Sequence, residues 1–263
     1  MMGEAASLAS ADIGAVLADI AVEAAHLILP LWRTGVDVET KADSSPVTIA
    51  DRQAERLILA RLADRFGGVP VISEEDVSEI GAPQVIAARF ILVDPLDGTR
   101  AFVRGDPNFT VNIALIENGR PVAGAVVAPP SGEVWHTLAG GAVKRGAGED
   151  GGDRPLHVRP WPGPDALALV SHTMKAETLT ALGQQYGFSK NAPMDSSIKL
   201  VRIAEGAADI YPRHGPTMEW DTAAGHAVLE AAGGRLTTPE GAPFTYGKAL
   251  QGFRNGWFVA RGG

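Results

Sequence analysis

The run Phe90-Ile91-Leu92-Val93-Asp94-Pro95-Leu96-Asp97-Gly98-Thr99 joins four consecutive apolar side chains to an acidic turn. The apolar part reads as a short buried strand. Asp-Pro is a turn-starting pair, and proline disfavours helix at the residue before it, so Asp94 is expected at the strand's end. Gly98 allows positive φ or a close backbone approach to a ligand. Two carboxylates three residues apart on such a turn can converge on a hard cation, which takes oxygen ligands. The structural alternative makes Asp94 a turn residue and Asp97 a helix cap.

Composition narrows the possibilities. The 263 residues suffice for a full core in one large domain or two smaller ones. Cysteine is absent, which excludes disulfide scaffolds, zinc-thiolate sites and thiol catalysis and agrees with a cytoplasmic location. A net charge of −8 argues against a polymeric nucleic-acid partner. An anionic small-molecule substrate would then need metal ions or a few placed cations to reverse the local field. No uncharged apolar run approaches about 18 residues, so no transmembrane segment is expected. With Glu4 and Asp12 and no basic stretch, the N-terminus does not resemble a secretory signal.

Outward from the central turn, Ser10 can cap a helix carrying Ile13, Leu17, Ile20, Ala24 and Ile28, with Pro30 and Gly35 marking its end. Lys41 to Thr48 is polar and turn-rich, and Thr48 can cap a second helix with Asp51 in its first turn. A short strand at Val69–Ile72 delivers Ser73-Glu74-Glu75-Asp76, whose adjacent acids read on their own as solvated loop charges. Phe109–Ile116 is a strand, Asn118-Gly119 a hairpin turn, and Val122–Ala128 and Glu133–Leu138 the returning strands. Gly146 to Asp153 reads as a mobile, glycine-rich loop. Beyond it, a strand at Ala166–Val170 ends at Ser171-His172, a helix follows over Met174–Tyr186, and Ser196-Ser197 can start another. Ala208–Tyr211 is a strand, the last clear helix starts at Thr217 or Met218 with Asp221 in its first turn, and Trp257–Val259 closes the pattern. The fold class is α/β, with an α+β first half and an α/β second half. Residues 1–145 are expected to form a metal-binding domain and 155–263 a substrate-side domain that completes the site.

The acids at element ends are Asp51, Glu74, Asp94, Asp97 and Asp221. Like charges about 4 Å apart repel by roughly 4 kcal/mol at an effective dielectric of about 20. Gathered in one cleft, they would call for two or three Mg²⁺ ions, which leave open positions for a phosphate. Spacing by itself does not show that they meet.

These motifs resemble those of the inositol monophosphatase superfamily, the lithium-sensitive, Mg²⁺-dependent phosphatases. Asp94-Pro95-Leu96-Asp97-Gly98-Thr99 is similar to the first family signature, and Trp220-Asp221-Thr222-Ala223-Ala224-Gly225 to the second. Ser73-Glu74-Glu75 and Pro46-Val47-Thr48-Ile49-Ala50-Asp51 stand in the family's order and spacing. The likeness covers nearly the whole chain. Phe109–Ile116 and Ala204–Arg213 look most like the bacterial CysQ-type 3′(2′),5′-bisphosphate nucleotidases, cytoplasmic enzymes of sulfur metabolism.

The resemblance implies a layered α-β-α-β-α sandwich of the sugar-phosphatase type. It implies hydrolysis of 3′-phosphoadenosine 5′-phosphate to AMP and phosphate by a metal-activated water. Glu74, Asp94 and the Leu96 carbonyl would hold one ion, Asp94, Asp97 and Asp221 a second, and Asp51 would support a third. Glu74 and Thr99 would orient the water, Asp221 would assist the leaving oxygen, and Gly98 and Thr99 would meet phosphate through their amides. Ser171, His172, Ser196, Lys199 and Arg213 would form the nucleotide pocket, and family members often form homodimers. The bland alternatives are a helix cap for Ser196, a solvated ammonium for Lys199 and a loop position for Arg213.

Some residues depart from the pattern. Arg100-Ala101-Phe102 stands for Lys-Glu-Phe, Gly105-Asp106-Pro107-Asn108-Phe109 for a shorter Gly-Glu-Phe, Asp195-Ser196-Ser197 for Gly-Ser-Ser, and Val170-Ser171-His172 lacks an arginine. The last two fall where the nucleoside would lie, so they bear on the substrate and leave the metal acids untouched. The competing readings are an inositol or sugar monophosphatase of the same fold, and a catalytically silent member that binds a metal or a protein partner.

Overall fold

The computed structural model describes residues 10–41, 46–146, 148 and 150–263. Residues 42–45 of the turn-rich segment, Ala147 and Glu149 of the glycine-rich loop, and the Ser10 side chain read as a cap lie outside the described residues. In chain order the elements are α1 (Ser10–Thr34), β1 (Val38–Thr40), β2 (Pro46–Thr48), α2 (Ile49–Arg65), β3 (Val71–Ser73), α3 (Glu74–Ile80), β4 (Arg89–Asp97), α4 (Thr99–Val103), β5 (Thr110–Glu117), β6 (Arg120–Ala128), β7 (Glu133–Leu138), β8 (Gly141–Lys144) and β9 (Arg154–Pro155). Then come β10 (Leu167–Val170), α5 (Ala176–Tyr186), β11 (Lys190–Pro193), α6 (Ile198–Ala204), β12 (Ile210–Arg213), α7 (Glu219–Ala231), β13 (Arg235–Thr237) and β14 (Phe258–Arg261).

Strands β3 to β9 form a seven-stranded sheet in sequence order, parallel at β3–β4 and antiparallel elsewhere. A five-stranded sheet follows in the order β11-β10-β12-β14-β13. Asn118 and Gly119 both take positive φ and close the β5–β6 hairpin. A tight turn with two left-handed residues matches the twist of the strands it joins.

Because successive strand side chains point to opposite faces, β4 divides its apolar run between two cores. Ile91 and Val93 pack with Leu17, Ala21, Ile28 and Ile58 of α1 and α2. Phe90 and Leu92 pack on the other side with Leu200, Val201, Ala224 and Val228 of α6 and α7. That second core continues to Tyr211, Phe258 and Ala260 of the smaller sheet. The far face of the smaller sheet, with Ala168, Ile210 and Val259, is covered by Leu182 of α5. The layers therefore run α1/α2, large sheet, α6/α7, small sheet, α5, which is the α-β-α-β-α sandwich. Within α1, Ile13–Thr34 is long and apolar enough to cross a membrane, at mean hydropathy 1.7. Here its Leu17, Ala21, Ala24 and Ile28 are fully buried against the large sheet.

Two proline readings are corrected. α1 runs through Pro30 to Thr34, and Gly35 ends it with a φ of 74°. Pro30 and His26 are both exposed, so the carbonyl that proline leaves without a donor four residues back can be met by water. β4 likewise does not stop at Asp94; its register with β5 shifts between Asp94 and Asp97. Such a bulge tolerates a proline and re-aims the side chains around it.

Close approach of α7 to the large sheet depends on Gly124. A Cβ there would lie 2.7 Å from the Ala224 carbonyl oxygen and 2.9 Å from Ala227 Cβ. Gly124→Ala is expected to cost about 1–3 kcal/mol of stability through overpacking, read as a lowered thermal midpoint by calorimetry.

Candidate active site

Thr48 starts α2 as its cap, and Asp51 at the third helical position reaches back to it. Asp51 Oδ2 accepts from Thr48 N at 2.8 Å and from Thr48 Oγ1 at 2.6 Å. This capping box is the structural reading of Asp51 realised. Its other oxygen faces the central turn, where Thr99 donates from Oγ1 to Asp51 Oδ1 at 3.1 Å. Thr99 follows Gly98, whose φ of 98° turns the chain out of β4 and into α4.

Asp94 is fully buried; Oδ1 accepts from Leu96 N at 3.1 Å and Oδ2 has no partner. Asp97, in the bulge, is held at Oδ2 by Ser197 N at 2.6 Å and Ser197 Oγ at 2.8 Å. Ser197 Oγ also contacts the Asp221 carbonyl oxygen and accepts from Asn112 Nδ2 at 3.0 Å. One hydroxyl therefore ties β4, β5, α6 and α7 together. Asp221, in the first turn of α7, accepts from Met218 N at 2.8 Å through Oδ2. Glu74, the first residue of α3, accepts from Lys41 Nζ at 2.7 Å.

Burial raises the carboxyl pKa of Glu74, Asp94, Asp97 and Asp221. Mutual repulsion adds to this: Glu74, Asp97 and Asp221 all push Asp94 up, and Asp97 and Glu74 push Asp221 up. Lys41 opposes the rise at Glu74, and Lys199 and Ser197 oppose it at Asp97. Asp51 is also raised by burial, against its bonds from Thr48.

A cleft of about 640 Å³ opens over these acids. Glu74, Asp97, Gly98, Thr99 and Asp221 line one end of it. Ser171, His172, Asp195, Ser196, Lys199 and Arg213 line the other, with Arg100, Arg104 and Tyr211. Asp51, Asp94 and Leu96 sit behind this lining, and the Leu96 carbonyl accepts from Thr99 Oγ1 at 3.2 Å. The tertiary structure thus brings Glu74, Asp97 and Asp221 to one cleft with Ser171, His172, Ser196, Lys199 and Arg213, and leaves Asp51, Asp94 and Leu96 outside its lining.

Lys199 and Arg213 differ from their bland readings, while Ser196 keeps a cap-like contact, its Oγ accepting from Ile198 N at 3.4 Å. Lys199 is buried, donating from Nζ to Ser196 O at 2.6 Å and Met194 O at 3.1 Å. Burial lowers its pKa to about 8. Arg213 donates from NH2 to Pro216 O at 3.0 Å while its Nε is buried without a partner. Ser196 takes a φ of 54°. Asp195 bridges the rim, 3.1 Å from His172 Nδ1 and 3.1 Å from Arg104 NH2.

Sequence reasoning passed over Ser197, Asn112, Lys41 and Glu75 as parts of this region. Glu75 is buried, not solvated, and burial with repulsion from Glu74 pushes its carboxyl up to about 7. The local signal for Ser197, a serine before a helix, pointed to a cap; yet its side chain makes no cap bond.

Among the described residues, no three acidic or histidine side chains already enclose a cation. Lys41 holds Glu74, Ser197 holds one oxygen of Asp97, and Met218 N holds one of Asp221. The donor chemistry nevertheless fits one: hard oxygens, each with a neighbour of like charge, and a buried Asp94 Oδ2 with no partner among the described residues.

A layered sandwich whose cleft has a carboxylate end and a basic end can hold hard cations beside an anionic ligand. The chain belongs to the inositol monophosphatase family, whose model matches residues 11–256. It is 42% identical over 211 residues to the 3′(2′),5′-bisphosphate nucleotidase CysQ of Escherichia coli K12, covering 80% of this chain and 83% of that one. The enzyme of the same name from Buchnera aphidicola is 35% identical over 93% of this chain and 91% of its own. The crystal structure of CysQ from Bacteroides thetaiotaomicron, a bacterial member of the inositol monophosphatase family, superimposes with a TM-score of 0.76 at 32% identity, covering 96% and 97% of the two chains.

The raised carboxyls give stability a definite pH dependence without divalent cations. A carboxyl whose native pKa lies above its unfolded value keeps its proton longer in the native state. The native state then binds more protons, so stability falls as pH rises from the unfolded range near about 4. The decline extends to about 7, where Glu75 titrates. Chelator-treated protein should melt lower at about pH 8 than at about pH 5.5, and Mg²⁺ should restore the midpoint at the higher pH, followed by scanning fluorimetry.

Proposed function

We propose that the protein is a Mg²⁺-dependent phosphoric monoester hydrolase that removes the 3′-phosphate of 3′-phosphoadenosine 5′-phosphate, giving AMP and phosphate. The observation that carries this reading is the pairing of an acidic group, Glu74, Asp97 and Asp221 in the cleft lining with the buried, partnerless Asp94 Oδ2 outside it, with the Arg213 guanidinium that lines the same cleft. The first suits a cation, the second an anion, and a bisphosphate brought in beside metal ions would use both. The identity to curated bisphosphate nucleotidases over most of both chains supports the same substrate class.

Glu74, Asp94, Asp97, Asp221 and the Leu96 carbonyl are the groups that would hold two ions, with Asp51 supporting a third. Bound there, divalent ions would lower the pKa of the attacking water and offset charge on the phosphoryl oxygens, in a reaction among the slowest uncatalysed ones. The chain's own contribution starts at Thr99. Its hydroxyl proton has Asp51 Oδ1 and the Leu96 carbonyl as alternative acceptors, and with either one its oxygen lone pairs are left to accept from a water. Glu74 Oε1, once free of Lys41, is the acid on the same side that can take that water's proton. Asp221, in the same carboxylate lining, would assist the leaving 3′-oxygen. Gly98 and Thr99 line the cleft, where their amides would meet a phosphate.

Arg213 would meet the 5′-phosphate through the part of its guanidinium that lines the cleft, since guanidinium binds phosphate oxygens with charge-assisted bonds. Lys199 adds positive field from behind, held by two carbonyls away from direct exposure. His172, oriented by Asp195, and Ser171 and Ser196 are placed to bound the nucleoside. Residues 1–145 would then supply the metal-binding acids and 155–263 the pocket and Asp221. With no cysteine in the chain, we place the enzyme in the cytoplasm.

Asp94→Asn is expected to cut turnover by at least about 10³-fold, because a Lewis acid in such a site contributes several kcal/mol. The metal-free thermal midpoint should not drop, since a repelling buried charge is removed; phosphate release and melting measured together check both. Arg213→Ala should raise KM for the 3′,5′-bisphosphate by about 10- to 100-fold, the worth of a charge-assisted bond. KM for a nucleoside 3′-monophosphate or an inositol phosphate should stay near its starting value. Steady-state assays on that substrate panel decide, and equal losses would remove Arg213 from the pocket.

A further inference from the structure

Lys41, in the segment after β1, lies against the carboxylates, outside the cleft lining. Its Nζ donates to Glu74 Oε1 and to Glu75 Oε1, each at 2.7 Å, and the Lys41 side chain is 6% exposed. The two acceptors are neighbours in sequence but unequal in setting. Glu74 lines the cleft with its side chain 25% exposed, whereas Glu75 lies outside the lining at 3%. Successive residues at the start of a helix point about 100° apart, so one carboxylate faces the ligand and the next faces the protein. The ammonium sits between them.

We infer that Glu75 is a parking acid for Lys41, which lets Glu74 exchange the ammonium for a divalent ion. The inference rests on Glu74 being a cation ligand, as proposed above. An ammonium and a divalent ion compete for the same carboxylate, and at hydrogen-bonding separations they repel. A buried ammonium that lost its only partner would pay the full penalty of an unpaired charge, so Lys41 with Glu74 alone would resist release. With Glu75 in place, Lys41 gives up one bond and keeps the other. One ammonium against two carboxylates also leaves more negative charge for the incoming ion than one against one does. Before the ion arrives, the same ammonium offsets the repulsion between Glu74 and Glu75. Lys41 and Glu75 are thus positioning residues that set how readily the site takes its cation.

The test titrates Mg²⁺ into the substrate-free, full-length protein by isothermal calorimetry. Glu75→Gln should weaken Mg²⁺ binding by about tenfold or more, because Lys41 then neutralises Glu74 alone. Adding Lys41→Met to that variant should bring the affinity back to within about threefold of the original, a coupling of opposite sign to simple damage. Lys41→Met alone, which leaves Glu75 untouched, should bind Mg²⁺ at least as tightly as the unmodified protein. A double variant that binds no better than Glu75→Gln, a Glu75→Gln protein with undiminished affinity, or a Lys41→Met protein with weakened affinity would each overturn the inference. If the unmodified protein binds Mg²⁺ in those cases, the metal-site reading survives. Absence of Mg²⁺ binding by the unmodified protein would overturn both.

Discussion

Mutual repulsion among Glu74, Asp94, Asp97 and Asp221 shapes everything around the cleft. The four come from three separate parts of the chain, and burial pushes each toward its protonated form, with repulsion from neighbouring carboxylates adding to it at Glu74, Asp94 and Asp221. The protein answers with donors fixed in place: Lys41 on Glu74, Ser197 on Asp97, the Met218 amide on Asp221. Asp94, deepest of the four, keeps one oxygen that no donor among the described residues reaches. A site arranged this way is strained in charge, and a cation relieves it.

Holding such a cluster together requires a stiff frame, and the layers supply it. β4 is buried on both faces, so its turn cannot tilt without disturbing two cores. α7 lies hard against β6 at Gly124 and against α6 at Gly225, where a Cβ would fall 2.6 Å from Leu200 Cδ1. Close packing of this kind transmits small displacements instead of absorbing them. Asp97 and Asp221 therefore keep their relation through Ser197, which bonds to both segments.

The cleft is polar in two senses. Its acidic end suits hard cations, and its basic end combines a buried Lys199 with an Arg213 only partly satisfied by the protein. Between them, Asp195 links His172 to Arg104 across the rim. Asp195 is one of the positions where the sequence departs from the wider family pattern, and the link it makes shows what that departure does: it fixes an imidazole at the mouth of the pocket.

Local features were legible in the sequence because local physics specifies them. The apolar run at Phe90–Val93, the Asn118-Gly119 turn and the Thr48 cap with Asp51 each depend on residues a few positions apart, and each has its structural counterpart. The two prolines misled because their cost depends on surroundings: Pro30 lies on an exposed helix face, and Pro95 in a bulge. Lys41 and Glu75 escaped notice because a charge looks solvated until its partner is known. By itself the chain determined its periodic elements, the acids at their ends and its family likeness, since neighbouring residues carry those signals. Only the tertiary structure decided which charges are buried and what holds them, because Lys41 with Glu74, Asp97 with Ser197 and Asp195 with Arg104 meet across long stretches of sequence, and desolvation is a property of the packed molecule.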